Sequence, residues 1–242
     1  MNEGIPTSAP EGVDVRSISG MLELLRQTVP ITKRLVHAGD TVYRVGQEFA
    51  CLYVVNSGFF KQVNLSGEGR EQVVALHFKG DWMGLCGIAD GHYACDVVAM
   101  DTGEVWAIRY DALLRAGLQT PALLSALHAA MSRALTRDHD CLLSLCTLPA
   151  DARVAAFLRY WADALDQRGL RTDQFTLRMT RAEIGNYLGM TLESVSRALS
   201  RLARGDVIRF TDKARRDIHI PQVEALTRFI QSGSTPLGAA VH

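Results

Sequence analysis

The stretch Thr180–Leu202 reads TRAEIGNYLGMTLESVSRALSRL, the pattern of two short helices joined by a glycine turn. Thr180 followed three residues later by Glu183 is a capping box. The hydroxyl takes one free amide and the carboxylate reaches back to the cap's own amide. Ile184, Tyr187 and Leu188 repeat at helical spacing and give the first helix one apolar face. Gly189 suits the tight turn because glycine tolerates positive φ. Thr191 is a good N-cap for the second helix. Val195, Leu199 and Leu202 make its inner stripe, and Gly205 is expected just past its end, as C′.

The opposite stripe of the second helix carries Glu193, Arg197, Ser200 and Arg204, with Ser196 beside it. A charged helix face is most often simply solvated. Here it accompanies a cap, a turn glycine and three side chains suited to base edges. An Arg fork matches guanine O6 and N7, a Glu accepts from the cytosine amino group, and a Ser adapts to either partner. Glu193, Ser196 and Arg197 are therefore the candidate base readers of double-stranded DNA. Thr180, Arg181, Thr191, Ser200, Arg201 and Arg204 are candidate phosphate contacts, which position a protein without reading sequence.

Outward from this stretch, Val207–Phe210 and Asp217–Ile220 read as two strands around the basic tip Lys213–Arg216, a wing. On the other side, Pro149-Ala-Asp151 reads as a hinge and new N-cap. Arg153–Arg168 follows as an amphipathic helix, with Val154, Phe157, Leu158, Trp161 and Leu165 inside. Residues 149–232 are thus expected to be a winged helix-turn-helix domain, with a flexible tail at 233–242. The charge agrees. Residues 1–149 hold 12 Lys/Arg against 16 Asp/Glu, a net −4, and residues 150–242 hold 14 against 10, a net +4. A basic C-terminal part is what DNA contact favours.

Residues 118–148 are expected to form one long helix. Leu124, His128, Met131, Leu135, Asp138, Leu142 and Leu145 alternate at spacings of three and four, a heptad seam. Such a seam packs on its own domain or pairs with its twin in a homodimer. In a parallel pair Asp138 either faces its own copy, where like charges oppose association, or rotates to the rim and bonds Arg137 or Arg133. From Lys33 to Ile108 the pattern is short strands punctuated by Gly39-Asp40, Gly46, Ser57-Gly58, Gly80-Asp81 and Gly103. That spacing predicts a β-sandwich or jelly-roll barrel over 31–117. Residues 1–30 read as a loose arm and a short helix at Met21–Val29. No apolar run is long enough for a membrane span, and the start lacks a secretory signal. The five cysteines show no disulfide-like framework and fit a reducing cytoplasm. Cys86 and Cys95 are candidate redox residues, and Cys141 and Cys146 lie near the long helix's end.

Met179–Gly189 and the Glu193-Ser-Val-Ser-Arg197 phrase resemble the recognition motif of the CRP/FNR superfamily of transcription regulators, the FNR branch above all. The resemblance runs from about Lys33 to Ile220. It implies an α+β chain with an N-terminal cyclic-nucleotide-binding-type barrel, a dimerisation helix and the winged domain. It further implies a homodimer on a TTGAT-like inverted repeat, Arg197 reading guanine, Glu193 the cytosine side and Ser196 a thymine, acting with RNA polymerase. The family's signals fit less well. FNR-type sensors hold a 4Fe-4S cluster through cysteines near the N-terminus and one in the barrel. Here no cysteine precedes Cys51, and Trp106 stands at the barrel position. The cyclic-AMP receptors' phosphate-binding Arg-Ser pair is replaced by Tyr93-Ala94, and their ribose-binding Glu by Leu85. A 4Fe-4S cluster and cyclic AMP are thus not expected. Haem, through His77 or His92, stays open, and the effector is unknown.

Two other functions compete: a cupin-like jelly-roll enzyme, and a ligand-binding module without DNA activity. A cupin metal site needs a close His-x-His pair followed by an acid, which neither His77 nor His92 has. No Gly-x-Ser-x-Gly or Walker-type loop is present either.

Overall fold

The computed structural model describes residues 17–65, 67 and 69–233. Most of the expected N-terminal arm and the tail from residue 234 lie outside them. The chain divides into two compact units. The first runs to Phe60 and resumes over Leu76–Ala134; the second takes Lys61–Ala75 and continues from Leu135.

Helix α1 (Ile18–Thr28) starts on Ser17, whose side chain accepts from the Gly20 amide at 3.1 Å. Eight strands follow: β1 (Thr32–Val36), β2 (Thr41–Tyr43), β3 (Cys51–Ser57), β4 (Phe60–Leu65), β5 (Glu71–His77), β6 (Trp82–Met83), β7 (Asp96–Ala99) and β8 (Gly103–Arg109). They form two four-stranded sheets, ordered β1-β8-β3-β6 and β2-β7-β4-β5. The expected sandwich is therefore present.

Strand periodicity explains how it holds together. Successive side chains of a strand point to opposite faces. In β3, Leu52 and Val54 join a core with α1 residues such as Leu24 and Leu25, while Tyr53 and Val55 enter the interior between the sheets. In β8, Trp106 and Ile108 take the first side and Val105 the second. Both faces of these two inner strands are covered, which is why they read as continuous apolar runs.

Helix α2 (Tyr110–Gln119) leads to α3 (Pro121–Thr147), a 27-residue helix. Its first half buries Leu123, Ala126, Leu127 and Ala130 against the α1 core. Further along, Leu135, Leu142 and Leu143 remain about 60% exposed. The predicted seam residues differ among themselves. His128, Met131, Leu135, Asp138 and Leu142 are exposed, whereas Leu124 and Leu145 are half-buried.

The second unit continues with α4 (Ala150–Asp166), β9 (Gln174–Thr176), α5 (Arg181–Tyr187), α6 (Leu192–Arg204), β10 (Arg209–Phe210), β11 (Asp217–His219) and α7 (Val223–Gly233). The three strands form one sheet in the order β10-β11-β9. Helix α4 starts three residues before the expected Arg153. Its N-cap is Pro149, with no side-chain bond, and Asp151 lies inside the first turn. The reason is tertiary: the Asp151 carboxylate is taken by the Arg201 guanidinium. Trp161, only 1% exposed, stacks on Phe175 with ring centres 6.2 Å apart and anchors α4 to the small sheet.

Candidate nucleic-acid interface

The capping box forms as read. Thr180 Oγ1 accepts from the Glu183 amide at 3.2 Å, and Glu183 Oε2 accepts from the Thr180 amide at 2.7 Å. After α5 the chain turns at Gly189, which has φ +62°. Thr191 accepts the Ser194 amide at 3.2 Å and starts α6. Val195, Ala198, Leu199 and Leu202 are buried to 1% exposure or less, so one face of α6 is fixed and the opposite face is set by helix geometry.

The end of α6 corrects the reading of Gly205. That residue is the C-cap itself, with φ −81°, and the left-handed position falls to Asp206, with φ +54°. The Val207 amide donates to Leu202 O and the Asp206 amide to Ala203 O, the two bonds of a Schellman motif. Asp tolerates this conformation better than most residues. Its carboxylate also pairs with Arg209 at 2.8 Å.

Glu193 and Arg197 stand exposed on the free face of α6, one turn apart, and Ser196 is half-buried beside them. The Glu193 carboxyl is held below its ordinary range by its own backbone amide, then by the Thr191 hydroxyl and the charge of Arg197. It is thus an ionised acceptor at neutral pH. Arg197 donates to Ser194 Oγ at 3.2 Å, which orients the guanidinium along the helix start. Ser200 and Arg204 continue the same stripe, half-buried and exposed respectively.

The candidate phosphate contacts separate into groups. The Thr180 and Thr191 hydroxyls cap helices. The guanidinium of Arg201 lies on Asp151. Arg181 is half-buried and sits over the Phe210 ring at 5.7 Å, and Arg215 from the wing tip sits over the same ring at 5.3 Å. Burial, and then the neighbouring Arg215 charge, lowers the pKa of Arg181. Two guanidinium groups thus gather on one ring, an arrangement that raises the local positive potential.

Three features of this site were missed in the sequence. Gly185, inside α5, allows the turn to close: a β-carbon there would lie 2.6 Å from Met190 O. In the Arg181–Phe210–Arg215 group, Arg181 lies 29 and 34 positions from its two partners, so no local pattern announces its place there. Asn186 donates to Glu71 O at 2.7 Å and accepts from the Val73 amide at 2.6 Å, while Glu183 pairs with Lys61. The Lys61–Ala75 segment thereby grips α5.

In the first unit, Tyr93 is 2% exposed, stacks on Tyr43 with ring centres 4.1 Å apart, and donates its hydroxyl to Cys51 O at 2.7 Å. No Lys or Arg occurs between Gly80 and Ile108. A cyclic nucleotide held there through an Arg-phosphate pair does not fit these residues. Trp106 is buried and its indole donates to the Glu104 carboxylate at 2.8 Å, so it offers no cluster ligand. His77 is buried in β5, whereas His92 is exposed with its ring 3.2 Å from Asp90 O. Cys86 and Cys95 do come together, sulfur to sulfur at 3.6 Å.

Among the described residues no helix is long and apolar enough to cross a membrane. A cyclic nucleotide-binding domain model matches residues 33–119, and a Crp-like helix-turn-helix domain model matches residues 152–229. The chain is 32% identical to the transcriptional regulatory protein btr of Bordetella pertussis, over 90% of this chain and 88% of that one. It is 33% identical to the fumarate and nitrate reduction regulatory protein of Escherichia coli, over 73% and 70%. The structure of FixK2 from Bradyrhizobium japonicum is similar with a TM-score of 0.72 and 27% identity, covering 88% of this chain and all of that one. With both domain models matched in order, and with relatives of this identity along most of its length, the chain belongs to the CRP/FNR family of DNA-binding transcription regulators.

Proposed function

We propose that the chain works as a homodimer on an inverted repeat with TTGAT-like half-sites, with Arg197 on guanine, Glu193 on the cytosine side and Ser196 on thymine. The exposed Glu193/Arg197 face of α6 carries this reading, since those side chains match base edges in the major groove. In the cytoplasm such a dimer would act with RNA polymerase and perform no catalysis of its own. The proposed division is a sensor over 31–117, a dimerisation helix over 118–148 and a DNA-binding domain over 149–232. The apolar side chains left exposed along α3 support pairing of two copies, because a run of solvated Leu on one helix is costly without a partner.

Titration of duplexes carrying TTGAT-like inverted repeats, against scrambled duplexes and across salt concentrations, tests the reading. Selective binding that weakens with salt is expected. Equal affinity for both duplexes, under reducing and oxidising conditions alike, would overturn it.

Asp138 adds a prediction about pairing. Although Asp138 is exposed overall, desolvation by its neighbours raises its carboxyl above the ordinary range, while Arg137 and His139 pull it down. A second copy across the axis adds a like charge and raises it further. A group whose pKa rises on association stabilises the dimer below that pKa and ceases to do so as pH rises through it. Dimerisation should therefore tighten as pH falls toward the carboxylate range. Asp138→Asn should tighten it at neutral pH and remove that part of the pH dependence. Two unit charges at 4 Å repel by about 1 kcal/mol in water-like surroundings, so the expected gain is roughly fivefold. An unchanged dimer constant by sedimentation equilibrium would remove Asp138 from the seam's control.

A further inference from the structure

We propose that Cys86 and Cys95 are a peroxide-oxidisable pair, closing to a reversible intrachain disulfide in the first unit. The two sulfurs are already 3.6 Å apart. Cys86 lies exposed in the 3-10 turn Leu85–Gly87, directly after Gly84. Cys95 is 1% exposed and immediately precedes β7. It faces the buried Tyr43 hydroxyl at 4.0 Å. One thiol therefore meets solvent, and the other sits behind it in a closed aromatic interior. No third metal-binding side chain joins them among the described residues.

The two sulfurs differ chemically as well. The Cys95 thiol, followed by the Ala94 and Cys86 amides, holds Cys86 down to about 6 against the opposing effect of partial burial. Donation to Cys86, together with burial, pushes Cys95 well above the thiol range, with the charges of Cys86 and Asp96 adding. The exposed Cys86 is therefore favoured over the buried Cys95 as the thiolate. Thiolate character and access are what select a cysteine for oxidation.

Hydrogen peroxide supplies the oxidant. The Cys86 thiolate attacks one peroxide oxygen; the S–O bond forms, the O–O bond breaks, and hydroxide leaves with the electron pair. Cys95 sulfur then attacks the Cys86 sulfenic sulfur. The S–S bond forms, the S–O bond breaks, and the hydroxyl departs with the Cys95 proton as water. Two electrons pass from the sulfur pair to the peroxide. Closure needs the sulfurs to approach by about 1.5 Å to reach disulfide length. A dithiol returns the pair to its starting state by exchange.

The test uses the full chain, reduced, treated with equimolar hydrogen peroxide, then alkylated and mapped by mass. No Lys or Arg lies between Gly80 and Ile108, so trypsin leaves both cysteines in the single peptide Gly80–Arg109. The expected peptide lacks two hydrogens and carries no alkyl label. Cleavage after Tyr93 leaves its halves joined until dithiothreitol is added. Cys95→Ser should leave Cys86 as a sulfenic acid trapped by dimedone, and Cys86→Ser should leave Cys95 alkylated. Cys95→Ala, with circular dichroism on each variant, separates this from misfolding. Alkylation of both residues after peroxide would overturn the proposal. So would Cys86 driven to the sulfinic acid beside a labelled Cys95, or a bridge to Cys141, Cys146 or a second chain. None of these readouts depends on DNA binding.

Discussion

Arg197→Ala should weaken binding to a TTGAT-like repeat by roughly 5- to 150-fold, the equivalent of ~1–3 kcal/mol for one bidentate base contact. Binding to random DNA should barely change. The side chain is exposed on α6, beside the ionised Glu193, and rests on Ser194. Its side chain is exposed and outside the buried core, so lost affinity will report recognition and not stability. Arg197→Lys sharpens the experiment. Lys keeps the charge but loses the planar fork that matches guanine. It should hold affinity for random DNA while losing selectivity at one base pair. Fluorescence anisotropy on matched and single-substituted duplexes measures both. Were Arg197 a phosphate contact, Ala would weaken all duplexes alike and lower the salt slope by about 1.

The exposed face of α6 that carries the proposed readers could be found in the sequence because every signal behind it is local. A capping box, an apolar repeat and a second N-cap lie within 25 residues, and helix geometry does the rest. The inner strands were legible for the same reason, as apolar runs between turn residues. What escaped depends on partners far along the chain. Arg201 reads as a lone surface cation until Asp151, 50 residues away, pairs with its guanidinium. Asn186 is an ordinary helix residue until the backbone of Glu71 and Val73 meets both ends of its amide. The choice between Gly205 and Asp206 was a contest between intrinsic preference and the closing geometry of α6, and geometry won. The 3–4 spacing of apolar residues along α3 was legible, but spacing alone could not say which of them would be covered and which exposed.

Gly185→Val should cost about 3 kcal/mol or more and abolish specific binding, although Gly185 carries no chemistry. Helix propensity argues the other way, since replacing a mid-helix glycine by Ala gains about 1 kcal/mol. Here overpacking opposes it, typically costing about 1–3 kcal/mol and more where backbone must move. A β-carbon at Gly185 would meet Met190 O at 2.6 Å and the Thr191 carbonyl carbon at 3.3 Å. Both are backbone, and Thr191 is the cap that starts α6. The Met190 amide also donates to Gly185 O at 2.8 Å, so the helix and turn cannot separate without losing that bond. Gly185→Ala should accordingly destabilise, with Val worse because it adds two methyl groups in the same gap. Gly189 provides the contrast. Its φ of +62° penalises Ala by about 1–2 kcal/mol, but its nearest atom for a β-carbon is Leu145 Cδ2 at 4.0 Å. Asn, which visits the left-handed region, should therefore be tolerated at 189 and not at 185. Hydrogen exchange across α5 and α6, read beside duplex titration, distinguishes the two sites. A Gly185→Ala protein with stronger protection and unchanged selectivity would show that α6 is positioned by some other contact.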